Sequence, residues 1–486
     1  MGAIAVETSS LPLTERSAVA LAAAIRAGET SAREVVDAHI AVLERVNPRI
    51  NAVVADRYDA ARCEADAADE RLAAGDGEPP PLLGVPFTVK ESLGLAGMPQ
   101  CAGVVARGEH VAGRSATVVE RVLEAGAIPL GVTNVSELTL WVETENRRYG
   151  RTSNAYDRRR TAGGSSGGEG AAVASGGSPF GLGTDLGGSI RLPAFFNGVF
   201  GHKPSRGLTP MTGHYPEPGI DSARLSYTGP LARRAEDLMP LLLLIAGPDG
   251  RDELVAESEL GDPGDVALDG LRVVVSESGT LGPTSPELAK ARERAAGALA
   301  AAGARLERVS TKSMRRAFEM YLATLSSEAG TLERLLREAG AEPLTLRSAL
   351  ARGGPHTVAT RITVAVERYG PRLLDRRLRR ALAAADAFVR ELEDTIGDGV
   401  MLHPPAPKVA PRHGATVGRV WWIHPMLVFN LAGLPVTQAP LGLNDDGLPL
   451  GVQVAAGAGR DHVSIAVARE LERVFGGWVP PPAAER

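Results

Sequence analysis

The sequence predicts an α/β protein, a mixed β-sheet lying between layers of helices in a single domain. Three observations predict it. Helical periodicity alternates with β-prone apolar runs, and no linker longer than a few residues separates two cores. A hydrophobic content of 44% over 486 residues is ample for one large interior. Aromatics make up only 4%, so Ala, Leu and Val must fill most of it.

The elements follow in order. Residues 13–46 have a helical period interrupted at Gly28. Thr14 and Ser31 are candidate caps, and Ser31 has Glu34 three residues on, a capping box. A short strand is expected over 51–56, a helix over 58–74 and a surface loop over 75–81 (GDGEPPP). Residues 83–90 read as a strand in which Pro86 demands an edge or an early position. A helix over 115–125 then precedes a buried strand over 127–133. Beyond a glycine-rich region with a short helix near 170–175, the pattern predicts a helix over 231–245, a strand over 271–276 and a helix over 285–302. Residues 311–397 are mostly helical and Arg-rich, with a loose stretch at 353–356. They are expected to form a helical insertion or lid, or else surface helices of the same domain. Residues 423–440 carry loop punctuation, 451–456 a strand and 462–474 a final helix.

Composition narrows the function. A net charge of −5 calls for neither nucleic acid nor an anionic membrane surface. Two cysteines form no disulfide framework and fit a reduced cytoplasmic setting. The N-terminus has no basic stretch ahead of an apolar one. The longest apolar run, 238–246, is about half a membrane span and contains Pro240. A soluble protein without a membrane span is expected. Only five lysines are present, Lys90, Lys203, Lys290, Lys312 and Lys408. Arginine does not give up its proton, so a basic amine must come from these five.

The chemistry concentrates between Thr161 and Pro193, where 11 of 33 residues are glycine without a Gly-X-Y period. Ser165 and Ser189 each follow a Gly-Gly pair, 24 residues apart. A serine nucleophile needs an exposed oxygen, a base in reach and donors for an oxyanion. The N–H groups of Leu186, Gly187 and Gly188 form a candidate nest for that oxyanion. Ser165 can accept one proton and give another, and Lys90, at the end of an apolar strand, is a candidate base once desolvated. Gly-Gly-Ser also occurs in plain turns and phosphate loops, although no P-loop or full dinucleotide pattern exists here. A lone lysine after a strand is also commonly a surface charge.

Longer strings separate these readings. LLGVPFTVKES, GGSSGGEGAAVASG and GLGTDLGGSIRLPAFFNGVFGHKPSRG closely resemble the amidase signature family. AGAIPLGVTNVSEL, TSNAYD, NLAGLPVTQAP and LPLGVQVAAGAGRD extend the resemblance over about residues 15–475. It implies the amidase signature fold, with Lys90 as catalytic lysine, Ser165 as the bridging serine in a cis peptide and Ser189 as nucleophile. Glu169 and the run PAFFNGVFGHKPS look most like the fatty acid amide hydrolase branch, without the N-terminal membrane helix that some of that branch carry. The implied activity is cleavage of small-molecule amides, with carbamates (urethanes) and aryl esters as further substrates, by a monomer or homodimer needing no cofactor. Two alternatives stand: an amidotransferase subunit hydrolysing glutamine for glutaminyl-tRNA synthesis, and a non-catalytic binding protein on the same scaffold.

Supporting roles are assigned around the triad. Asp185 and Arg191 flank the nucleophile and are expected to pair and pin its turn. Ser166 and Thr184 are candidate partners of the relay, or satisfy local backbone. Met98, Leu138 and Trp141 are candidates for the acyl pocket, with core packing the other reading. The pocket is expected to draw on 98–145, 311–370 and 401–430. His202, His403, His413 and His424 show no metal-ligand spacing, so no metal is expected.

Overall fold

The computed structural model describes residues 11–482 except 76, 278–279, 327–330 and 345–352. The reading of the N-terminal ten residues, and parts of the 311–397 stretch, therefore lie outside the described residues. The frame is an 11-stranded sheet. Its strands, with a separate two-stranded hairpin counted in chain order, are β1 (Val53–Asp56), β2 (Pro86–Lys90), β3 (Ile128–Thr133), β4 (Glu145–Asn146), β5 (Gly150–Arg151), β6 (Phe180–Asp185), β7 (Phe200–Lys203), β8 (Tyr227–Ala232), β9 (Arg272–Ser276), β10 (Arg305–Val309), β11 (Val400–His403), β12 (Val436–Leu443) and β13 (Pro449–Ala456). The order is β1-β3-β2-β6-β8-β7-β12-β13-β11-β9-β10, with β4 and β5 pairing apart.

The sheet is mixed. β2 is parallel to both β3 and β6, while β6, β8, β7, β12, β13 and β11 run antiparallel, each to the next. Pro86 is the first residue of β2, an interior strand, where its missing N–H does least harm. The exposed, charged β10 closes one edge, a sequence that discourages further pairing. Phe87 and Phe180 stack across β2 and β6 at 5.3 Å in the main core.

The N-terminal helices form as their caps dictate. Ser31 and Glu34 close a capping box on Ala32–Ile50. Ser17, rather than Thr14, caps Ala18–Arg26.

The structure corrects two stretches. Residues 231–245 are not one helix: β8 holds the first part, and a helix spans Leu238–Ile245. Residues 423–440 are not a loop but the helix His424–Ala432 and the start of β12, joined through Gly433 at φ 78°. The 311–397 stretch contains the helices Ala317–Ser326, Thr331–Glu338 and the long Val358–Ile396.

Because β2, β3 and β6 are parallel, their C-terminal ends lie at one edge of the sheet. Lys90, Thr133 and Asp185 are the last residues of these strands, and Lys90 sits in register with Thr133. Crevices outside such carboxyl ends are where open α/β sheets place their ligands.

Candidate active site

Lys90 reaches that edge wholly buried. Its Nζ donates to Ser165 Oγ and to Thr184 Oγ1, both at 2.7 Å. Both partners are hydroxyls, so no contacting carboxylate repays the cost of a buried charge. Burial therefore lowers the ammonium to about 7, against an upward pull from Asp185 and Glu169. A lysine so placed is available as a neutral base near pH 7.

Ser165 follows a cis Gly164–Ser165 peptide bond. Gly164 is required there: a Cβ would lie 2.6 Å from the Trp141 carbonyl oxygen. The Ser165 carbonyl accepts from Ser136 N–H and Thr144 Oγ1, each at 3.3 Å. The next amide, Ser166 N–H, donates to the Ser189 carbonyl at 3.3 Å, which lays the two serine turns side by side. Ser166 Oγ donates to the Thr184 carbonyl at 3.3 Å, so that hydroxyl satisfies local backbone.

The Ser189 turn is held by a buried ion pair. Arg191 donates to both carboxylate oxygens of Asp185 at 3.0 Å, and both side chains are fully buried. The remaining guanidinium protons go to Gln453 Oε1, Asn430 Oδ1 and the Met426 carbonyl. Burial raises the Asp185 carboxyl, but the Arg191 charge outweighs it and holds the group well below the usual carboxylate range. Asp185 also accepts from the amides of Gly188 (2.7 Å) and Ile190 (3.1 Å), which fixes the backbone around Ser189.

That arrangement revises the oxyanion set. The Gly188 N–H expected to face an oxyanion is committed to Asp185. Gly188 is glycine for another reason: it sits at φ 119°, and a Cβ would meet Met426 Sδ at 2.5 Å. Among the described residues, the amides of Leu186, Gly187 and Ser189 have no hydrogen-bond partner. The Leu186 carbonyl is turned away, accepting from Tyr321 Oη at 3.0 Å.

Glu169 lies behind the lysine, fully buried, accepting from Thr88 Oγ1 at 2.6 Å and Thr133 Oγ1 at 2.7 Å. Burial raises its carboxyl to about 7, opposed by both threonine donors and by Lys90. Gly181 of β6 makes room for it, since a Cβ there would be 1.7 Å from Glu169 Oε2.

Ser165, Thr184, Asp185 and Leu186 open onto a cavity of about 230 Å³. Its apolar walls include Leu138, Leu140, Met211, Leu322, Leu325 and Leu378. Of the three pocket candidates, the lining includes Leu138 alone. Met98 is packed against the main core. Trp141 borders a smaller neighbouring cavity, its Nε1 donating to Thr416 Oγ1 at 3.0 Å. The wall at 211–226, which includes His214, comes from a segment not expected to contribute, and 401–430 supplies none of the lining.

The four histidines weighed as metal ligands, His202, His403, His413 and His424, have structural partners. His202 bridges Thr437 and Asp461, His403 faces Ser276, His413 faces the Arg158 carbonyl and His424 the Met314 carbonyl. Among the described residues no group of three His, Cys, Asp or Glu could hold a metal ion. Among them too, no helix is long and apolar enough to cross a membrane.

The amidase family profile matches residues 34–464. Fatty-acid amide hydrolase 2-B of Danio rerio is 39% identical over 97% of this chain and 91% of its own. A glutamyl-tRNA(Gln) amidotransferase subunit of Prochlorococcus marinus is 32% identical over 92% of this chain and 95% of its own. The solved structure of 6-aminohexanoate cyclic dimer hydrolase superposes with a TM-score of 0.82 at 28% identity, covering 98% of this chain and all of that one. This chain belongs to the amidase signature family, and it is a hydrolase of amide carbon–nitrogen bonds.

Proposed function

We propose that the chain cleaves linear amides, and also carbamates and aryl esters, through a covalent acyl-enzyme formed on Ser189 with Ser165 and Lys90 as its proton relay. The observation that carries this reading is the buried, carboxylate-free Lys90 Nζ at 2.7 Å from Ser165 Oγ. Neutral Lys90 takes the Ser165 hydroxyl proton as Ser165 takes that of Ser189. Ser189 Oγ bonds to the substrate carbonyl carbon, and the amides of Leu186, Gly187 and Ser189 receive the oxyanion. The C–N bond then breaks as Ser165 protonates the departing amine and regains a proton from Lys90. Water enters by the reverse path: its proton passes through Ser165 to Lys90, its oxygen bonds to the acyl carbon, and Ser189 leaves reprotonated.

The leucine-lined cavity supports an apolar group beside the scissile bond. It also weighs against glutamine as substrate, because a carboxamide buried among leucines loses its water partners. The helices at 311–397 act as the lid of this cavity, contributing Leu322, Leu325 and Leu378 to its wall. The protein works in the cytoplasm as a monomer or homodimer.

The test is labelling with a fluorophosphonate, read by intact mass and peptide mapping, beside turnover of an anilide by the purified chain alone. One adduct at Ser189 is expected, with turnover that needs no ATP, tRNA or partner. Ser189→Ala should fold, take no adduct and lose nearly all turnover. An adduct on another residue overturns the nucleophile. A chain inert until two further subunits are added, and then amidating charged tRNA, establishes the amidotransferase reading. No label and no turnover in any setting leaves the binding protein.

A further inference from the structure

His214 stands on the cavity wall next to the relay and has no part in the reaction described above. Its Nδ1 lies 2.7 Å from the Pro216 carbonyl oxygen. A carbonyl only accepts, so Nδ1 carries the proton. Burial, and after it the Lys90 charge, lowers the imidazole to about 3, so the ring is neutral in the working range. Nε2 is then bare and can only accept. It lies 3.4 Å from Thr184 Oγ1, a long contact whose donor must be the threonine hydroxyl. The same Thr184 oxygen accepts from Lys90 Nζ at 2.7 Å.

We propose that His214 is a positioning residue that fixes the direction of the hydrogen-bond chain on Lys90, and this rests on Lys90 being the base. A neutral lysine has two N–H donors and one lone pair. Thr184 has one proton. If that proton pointed at Lys90, it would occupy the lone pair and block proton abstraction from Ser165. His214 draws the proton to itself. Thr184 is thereby left as an acceptor for one Lys90 N–H, and the lone pair is free for the Ser165 hydroxyl. The tautomer is set in turn by the Pro216 carbonyl, beside the cis Tyr215–Pro216 bond. His214 thus acts through Thr184 and touches no reacting atom.

The experiment compares His214→Leu, His214→Gln, Thr184→Val and the His214→Leu/Thr184→Val double variant on one anilide, with kcat and KM separated. His214→Leu should lower kcat about tenfold, the scale of one lost hydrogen bond, with KM changed less than twofold. Glutamine offers an acceptor oxygen and should recover most of kcat. In the Thr184→Val background, His214→Leu should cost nothing more. A rise in KM at unchanged kcat would make His214 a substrate contact and overturn the proposal, as would independent, multiplying losses. If the leucine variant does not fold, ¹⁵N NMR of the wild-type imidazole decides. The Nδ1–H tautomer with a bare Nε2 is expected, and the opposite tautomer or a charged ring overturns it. Lys90→Ala separates the two readings. Near-normal amide turnover in Lys90→Ala defeats the relay itself, whereas a dead Lys90→Ala beside an unaffected His214→Leu defeats only the role of His214.

Discussion

Asp185 and Arg191 face each other through two 3.0 Å hydrogen bonds with neither side chain reaching solvent. The pair is more than a local brace. Through Gln453, Asn430 and the Met426 carbonyl it joins the Ser189 turn to β13 and to the helix His424–Ala432. A surface ion pair between these residues would contribute under about 1 kcal/mol. Here, removing one partner strands a buried charge together with its hydrogen-bond network.

Arg191→Met is therefore expected to destabilise the fold by about 3–5 kcal/mol, the range for breaking buried pairs. Urea unfolding followed by circular dichroism measures it. A loss below about 1 kcal/mol would show that the pair is not a structural keystone. The pH sign follows from the depressed Asp185 carboxyl. Its stabilisation is complete above its unfolded value of about 3.9 and is lost only as pH falls towards its lower folded value. In the wild-type protein the contribution of the Asp185 carboxylate should hence be flat from pH 5 to 8.

A second expectation concerns pH and rate. In the proposed relay Lys90 acts as the neutral amine, and burial lowers its ammonium to about 7. Amide kcat/KM should rise with pH through that region. Asp185 stays charged and His214 neutral across it. Glu169 titrates in the same region, so the limb belongs to the coupled Lys90–Glu169 pair. The negative charge of Glu169 holds Lys90 up. Glu169→Gln removes that charge and should move the midpoint to lower pH. A midpoint that moves upward would exclude the electrostatic link.

Lys90 should also separate substrates by leaving group. In the proposed relay an amine needs the proton that Lys90 returns through Ser165, whereas an activated aryl oxide departs without it. Lys90→Ala should lower amide turnover by several orders of magnitude and the matched ester by much less. Equal losses on the two substrates would remove Lys90 from leaving-group protonation.

Much of this site is legible in the sequence because its parts are short-range. The end of β2, the doubled glycines and the spacing of two serines are local signals, and Lys90, Ser165 and Thr184 do meet in space. What was hidden depends on partners far along the chain. The commitment of the Gly188 amide to Asp185 needs the geometry of the turn. His214 lies in a segment without periodicity or motif, and only the folded loop brings it to Thr184. β6 was equally hard to see. Its alternating Gly181 and Gly183 look like a loop, yet they are where Glu169 and Leu231 press against the strand.

The last expectation concerns the helical segment over the cavity. Glu137 is buried, and its Oε2 accepts from Thr357 N–H at 2.8 Å and Thr360 Oγ1 at 2.7 Å, while Oε1 faces His356 Nδ1 at 2.6 Å. A carboxylate there holds the first turn of Val358–Ile396, where it also favours the helix dipole. That helix supplies Thr363 and Leu378 to the cavity. Glu137→Ala should loosen the wall without touching the relay. The expected result is a KM for a bulky anilide raised about tenfold, with the rate of labelling by a small fluorophosphonate changed less than twofold. Glu137→Gln keeps one acceptor oxygen and should fall between. If small-probe labelling drops as far as anilide binding, Glu137 supports the catalytic residues themselves, and the helix is no separable wall.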